Sequence, residues 1–203
     1  MSLKAKSLGS AGSAVDMILI TGGTNATPIV ITVAANSGLK TGDRLAIAGI
    51  TGLTAANGEW TLNMLTATTY QLMGSVGNGT YGGTPRACQI FDATPTMKGH
   101  SGVLQIGGNL IGTLTFTAYE SLAEFTANDN SLLGLVVAPI VSNAVQGVTN
   151  TNATSASSST KATSALVMAL TNAGSEYEVK LSKYLHATIS AYTSGTAIAT
   201  VQA

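Results

Sequence analysis

Apolar residues alternate with Thr, Ser and Gly over short runs, and no long segment repeats them at helical spacing. A period of two places successive side chains on opposite faces of an extended strand, so the pattern predicts an all-β chain with almost no helix. Strands are expected at Ile29 to Val33, Arg44 to Ala48, Glu59 to Met64, Thr69 to Leu72, Arg86 to Phe91, Val103 to Ile106 and Leu114 to Tyr119. Further strands are expected at Leu132 to Val137, Ala165 to Leu170, Tyr177 to Leu181, Leu185 to Ala191 and Ala197 to Val201. Breaks such as Thr21-Gly-Gly-Thr, Gly77-Asn-Gly and Gly82-Gly-Thr-Pro85 separate them, suited to the positive φ of tight turns. Many short strands with regular breaks imply a sandwich or barrel.

Two stretches depart from this pattern. Val148 to Thr163 consists mostly of Asn, Thr, Ser and Ala with the single Lys161, too polar to fill a core, and is expected as a long exposed loop. The N-terminal segment up to Ser13, rich in Gly, Ser, Ala and Lys, is expected to be mobile unless a neighbour pins it. Val15 to Ile20 is expected to pair with strands after Arg86, which makes the intervening residues an insertion.

Composition narrows the function classes. Charged residues are 9% of the 203, against roughly 25% in an ordinary soluble domain. The mean hydropathy of +0.32 would suit a membrane protein. No apolar run, however, approaches the roughly 20 residues that span a bilayer, so no membrane partner is expected. Nine basic and nine acidic side chains cancel, and no basic stripe offers itself to phosphates, so nucleic acid is not an expected partner either. A surface so poor in charge is weakly protected against association, which points to Thr, Ser and Asn on the exposed face and to contact with other chains. The lone Cys88 has no intrachain disulfide partner and is expected as a small buried apolar residue. Two lysines near the N-terminus lack a following apolar segment, so the start does not resemble a secretory signal.

Catalytic constellations are sparse, and no cofactor is expected. His100 and His186 are the only histidines, and neither pairs convincingly with Cys88 as a metal site. Asp16, Asp43, Glu59, Asp92, Glu176 and Glu178 are scattered; Glu120 and Glu124 form the one close carboxylate pair, expected in a solvated loop. Asp129 between Asn128 and Asn130 lacks EF-hand spacing, and no phosphate-binding Gly-Lys-Ser/Thr loop occurs. The triplets at Asn25, Asn78 and Asn152 match the glycosylation pattern and are expected to be products of Thr richness. The residues therefore point away from an enzyme.

The most specific signal runs from Ser37 to Gly83. It comprises Ser37-Gly-Leu-Lys-Thr-Gly-Asp43, Ile47-Ala-Gly-Ile-Thr-Gly52, Ala56-Asn-Gly-Glu-Trp-Thr-Leu62, Thr66-Ala-Thr-Thr-Tyr-Gln-Leu72 and Gly74-Ser-Val-Gly-Asn-Gly-Thr-Tyr-Gly-Gly83. This segment resembles a small β-barrel module of bacteriophage virion proteins, distantly similar to a non-catalytic β domain of ubiquitin-activating enzymes, with Ser37 standing where a His often precedes the Gly-Leu. On the residues alone, Leu39, Leu45, Ile47, Trp60, Leu62, Tyr70 and Leu72 form the apolar set of successive strands and are expected to make a miniature core. Gly42-Asp43 and Asn57-Gly58 are turn dipeptides. Trp60 could alternatively serve as an exposed platform for carbohydrate.

Gly107 to Ala203 carries a second likeness. Gly112-Thr-Leu-Thr-Phe-Thr-Ala-Tyr-Glu-Ser121, with Tyr177-Glu-Val and Tyr192-Thr-Ser-Gly-Thr-Ala-Ile-Ala-Thr-Val201, resembles the β-sandwich of phage capsid-decoration and tail-associated proteins. Leu122-Ala-Glu-Phe125 replaces the Asp-Gly turn and Trp of those relatives. The segment around Ser194-Gly195 is expected as a closing hairpin. The resemblances imply a jelly-roll-like β-sandwich with a small β-barrel near the N-terminus: residues 1–20 as arm and first strand, 21–85 as barrel, 86–203 as sandwich. They further imply a non-enzymatic cement protein, made in the host cytoplasm and placed on the outer capsid surface of a virion. A homotrimer would bridge subunits of the major capsid protein there, with Leu3, Lys4, Lys6 and Leu8 of the N-terminal arm as candidate contacts. The alternatives are a tail-associated or receptor-binding adhesin-like protein and, from another class, a hydrolase subunit or carbohydrate-binding module.

Overall fold

The computed structural model describes residues 5–11, 16–34, 37–91, 101–108, 111–119, 121–127, 138–139, 148–150, 166–171, 175–180 and 183–202. The strands are β1 (Ala5–Ala11), β2 (Ile20–Gly23), β3 (Val30–Val33), β4 (Arg44–Gly52), β5 (Gly58–Met64), β6 (Thr69–Leu72), β7 (Tyr81–Ile90) and β8 (Ser101–Gly108). They continue with β9 (Ile111–Tyr119), β10 (Ala138–Pro139), β11 (Val148–Asn150), β12 (Leu166–Thr171), β13 (Ser175–Lys180), β14 (Tyr184–Ser194) and β15 (Ala197–Gln202). A 3-10 turn, Thr54–Ala56, and one short helix, α1 (Leu122–Ala127), interrupt them. The fold is therefore all-β and sandwich-like, as the period-two pattern predicts. The expected strand Leu132 to Val137 lies outside the described residues.

The strands form a five-stranded sheet, ordered β1-β15-β8-β13-β10, and a ten-stranded antiparallel sheet, ordered β11-β12-β9-β14-β7-β4-β5-β6-β3-β2. Consecutive strands repeatedly change sheet: β8 to β9, β12 to β13, β13 to β14 and β14 to β15. The segment around Ser194-Gly195 is accordingly not the hairpin expected from sequence. β14 pairs with β9 and β7, whereas β15 pairs with β1 and β8, so the turn carries the chain from one sheet to the other. A tight turn at Gly195 serves either topology, and only the partners of the flanking strands distinguish them.

Residues 20–91 make a lobe in which β4, β5, β6, β3 and β2 coil around one core. Leu39, Leu45, Ile47, Leu62, Tyr70 and Leu72 are buried in it together with Ile29, Ile31 and Leu53. Trp60 packs against this core and donates its Nε1–H to Ala56 O at 2.9 Å, which is the core role rather than the exposed platform. β5 serves two partners, with Gly58 to Thr61 opposite β4 and Leu62 to Met64 opposite β6, and this split turns the sheet on itself. At Gly49, where φ is +85, a bulge in β4 bends that strand; a Cβ there would lie 2.9 Å from Thr84 O.

The small closed barrel expected for this region is not formed: β2 ends the sheet without pairing to β7. The physical reason is a side chain in the seam. The Tyr81 ring crowds Gly23, where an added Cβ would meet both Tyr81 Cδ2 and Leu53 Cδ2 at 3.1 Å. Its hydroxyl donates to Ile20 O at 3.0 Å, so a side-chain bond stands where a closed barrel would have a backbone ladder.

β4 and β7 form a wall buried on both faces. Leu45, Ile47 and Ala87 point into the lobe core, while Ala46, Ala48, Cys88 and Ile90 belong to a second cluster with Tyr119, Phe125 and Tyr184. That second cluster joins the lobe to β9, β14 and α1. Position 85, expected as the end of the barrel, falls inside β7.

The N-terminal segment, expected to be mobile unless pinned, is pinned over residues 5–11: β1 pairs with β15 from Ala5↔Gln202 to Ala11↔Ala197. Asp16 then bridges to Thr188, and Met17 donates its N–H to Ala187 O at 2.9 Å before the chain enters the lobe. Val148 to Asn150, the start of the expected long loop, is instead β11 paired with β12; residues 151–163 lie outside the described set. The expected loop after Tyr119 contains α1, opened by Ser121, whose Oγ accepts the Glu124 N–H at 3.1 Å.

Candidate functional site

Of the four candidate contact residues, Leu3 and Lys4 lie outside the described residues. Lys6 and Leu8 fall in β1, Lys6 opposite Val201 and Leu8 within the register shift between Ser7 and Gly9. β1 is the outermost strand of its sheet, so one backbone edge has no strand partner among the described residues. Such an edge is a template for pairing with another chain. These residues are the expected contacts of the N-terminal arm; the sheet places Lys6 and Leu8 on an edge strand.

The polar side chains that the structure gathers lie elsewhere, around the start of β14. Asp16 Oδ1 is 3.1 Å from His186 Nε2 and accepts a hydrogen bond from Thr188 Oγ1 at 2.9 Å. His186 Nε2 is also 3.4 Å from Thr188 Oγ1. One ring nitrogen thus faces both the carboxylate and the hydroxyl, whereas a hydroxyl nucleophile needs them on opposite nitrogens of the imidazole. The trio works as a clamp that fixes residues 16–17 against β14. Burial pushes the Asp16 carboxyl up, but the bonds from His186 and Thr188 and the charges of His186 and Arg86 outweigh it and hold the group below its usual value.

Arg86, on β7, braces the same region. Its guanidinium donates to Phe125 O at 2.8 Å and to the Tyr119 hydroxyl at 2.9 Å, and it lies 5.0 Å from the Phe125 ring centroid. Burial raises the Tyr119 phenol, with Arg86 partly offsetting it, and burial raises the Cys88 thiol well above its usual value. Cys88 is thereby kept as an unreactive thiol, matching its expected buried role.

A third group straddles lobe and sandwich. Glu59 on β5 accepts from Arg44 at 2.9 Å, from Lys183 at 2.7 Å and from the Tyr184 hydroxyl. Partial burial raises Glu59, and the bonds from Lys183 and Tyr184, followed by the charges of Lys183 and Arg44, bring it below its usual value. The same bond to Glu59 raises Lys183. These contacts are 124 and 125 residues apart in sequence, so only the fold reveals them.

Among the described residues, no group of three or more His, Cys, Asp and Glu side chains is placed to hold a metal ion, and no helix is long and apolar enough to cross a membrane. Glu124 lies on α1; His100, Glu120, Asp129 and Asn152 lie outside the described residues. Exposed apolar side chains that sequence reasoning did not single out include Ile111, Tyr192 and Ile198 on strands of the sandwich. Alternation places them on strands but leaves open which face is covered. No known family model matches the chain, and no curated protein matches it closely enough to count as a relative.

Proposed function

We propose that this chain is a non-enzymatic decoration protein of a bacteriophage virion, made in the host cytoplasm and bound as a homotrimer to the outer capsid surface. In this reading its two-sheet body is a jelly roll, and it bridges subunits of the major capsid protein. The carrying observation is the position of β1 as the outermost strand of the five-stranded sheet among the described residues, with Lys6 and Leu8 on it. Strand addition at such an edge supplies main-chain hydrogen bonds without charge complementarity, which suits a chain with no net charge. Repeated modest contacts across a symmetric lattice add to a strong total. The likeness of the Ser37 to Gly83 segment to a phage virion module supplies the biological setting.

Exposed Tyr192 favours a second reading, a tail-associated or receptor-binding protein. An aromatic face beside the turn at Gly195 suits stacking on a glycan.

Expanded phage capsids lacking the protein, mixed with the purified chain and imaged by cryo-electron microscopy, separate the two. Ordered density at three-fold positions, with a trimeric mass by light scattering, is the expected result. Absence of binding to shells, or density confined to the tail, overturns the capsid assignment and favours the second reading.

A further inference from the structure

Two Asn-Gly dipeptides, Asn57-Gly58 and Asn78-Gly79, occur in the chain, and the fold treats them differently. Asn-Gly is the sequence most prone to internal imide formation, because glycine places no side chain beside the attacking backbone nitrogen. Attack requires that nitrogen to be available and the Asn side chain to leave its hydrogen bonds and turn Cγ toward it.

Asn57 is held against both requirements. Its Oδ1 accepts from Ile50 N at 3.0 Å and its Nδ2 donates to Ile50 O at 2.8 Å, so the side chain continues the backbone pattern of β4. Its backbone is extended, with φ −73 and ψ 142, and the following Gly58 is paired opposite Ile47 in the β4–β5 ladder.

Asn78 lies in an irregular, exposed stretch between β6 and β7. Ala55 N donates to its Oδ1 at 3.0 Å, and its Nδ2 donates to Thr54 Oγ1 at 2.8 Å. Both bonds are solvent-exposed, whereas those of Asn57 are part-buried, so water replaces them readily when the side chain turns. Gly79 belongs to no strand, and no backbone hydrogen bond among the described residues engages its N–H.

We propose that Asn78 is a self-modification site of the folded protein. The Gly79 nitrogen, losing its proton to solvent base, bonds to Asn78 Cγ; the Cγ–Nδ2 bond breaks, and the amide nitrogen takes up a proton and leaves as ammonia. Water then opens the ring at either carbonyl, giving aspartate or isoaspartate at position 78, with no change in oxidation state. The product removes the donor to Thr54 Oγ1 and adds one negative charge to a chain with none in balance. It acts on the 3-10 turn that follows Leu53 and carries Ala56, both fully buried in the lobe core.

The test is incubation of the folded chain in mildly alkaline buffer, followed by peptide mass mapping and enzymatic labelling of isoaspartate. Conversion at position 78 is expected to outpace that at position 57 by roughly tenfold, about the cost of opening the ladder at Gly58. In urea the two rates should converge. No conversion at position 78, equal rates in the folded chain, or an undiminished preference in urea each overturn the proposal. Asn78→Gln should fold with an unchanged urea slope and lose the modified species; persistence of the same acidic species in this variant also overturns it.

Discussion

Gln89 sits on β7 between the lobe strand β4 and the sandwich strand β14. It stands opposite Leu45 of the lobe core on one side and opposite Leu185 of β14 on the other, fully buried. Neither Nε2 nor Oε1 has a hydrogen-bond partner among the described residues. An unsatisfied buried amide is costly because it surrenders its bonds to water and gains none. Gln89→Met keeps the length and removes the polar atoms. It should stabilise the chain by about 1 to 2 kcal/mol, read as a higher urea midpoint at unchanged slope; an equal or lower midpoint would mean that the amide is satisfied in solution. Ser75 shows the opposite case: its hydroxyl accepts from Ile29 N and donates to Leu72 O, so a buried polar group is fully used.

At the scale of the element, the lobe is held closed at its seam by the Tyr81 hydroxyl on Ile20 O. β2 is four residues long and carries a register shift at Ile20, so it offers little ladder of its own. Tyr81→Phe retains the ring over Gly23 and deletes only the bond. The expected cost is about 1 kcal/mol. Hydrogen exchange should rise first in β2 and β3; exchange that rises uniformly through the sandwich would refute a local role for the seam. Burial raises the Tyr81 phenol, so the bond donor persists across the neutral range.

Across the whole molecule, lobe and sandwich are joined by the β4–β7 wall and by two carboxylates that meet the start of β14. Both carboxyls are more acidic in the folded chain than their ordinary values of 3.8 for Asp16 and 4.5 for Glu59. A carboxyl with a depressed folded pKa stabilises fully above its unfolded value, and that contribution disappears as pH falls through the folded one. Stability should therefore be flat near neutrality and decline once pH drops below 4.5, with Glu59 responding first and Asp16 from 3.8. Glu59→Gln should lose about 1 kcal/mol at neutral pH, the contacts being partly exposed, and should flatten the upper part of the acid decline. Urea midpoints measured across this range check both. An acid limb unaltered by Glu59→Gln would show that the junction carries no linkage.

The period-two alternation by itself determined that this chain is β, and it located β3, β6 and β12 to within a residue or so; in β3 and β6 every second residue is buried, and burial on one face writes itself directly into sequence. It also identified the lobe core, since Leu45, Ile47, Leu62, Tyr70 and Leu72 are apolar where the pleat turns inward, and Leu39 joins them from the segment before β4. It did not reveal β1, whose Ala-Lys-Ser-Leu-Gly-Ser-Ala has little apolar signal and is a strand only because β15 offers it an edge. Nor did it extend the Arg44 to Ala48 strand to Gly52 or show that both faces of the β4–β7 wall are buried. Small Ala and Cys residues fill the second face, and alternation blurs when both sides are dry. Sheet membership, the open seam and the carboxylate junction were decided by tertiary structure alone. They join residues as distant as Ala5 and Gln202, and no local pattern encodes which distant strand or side chain will supply the partner.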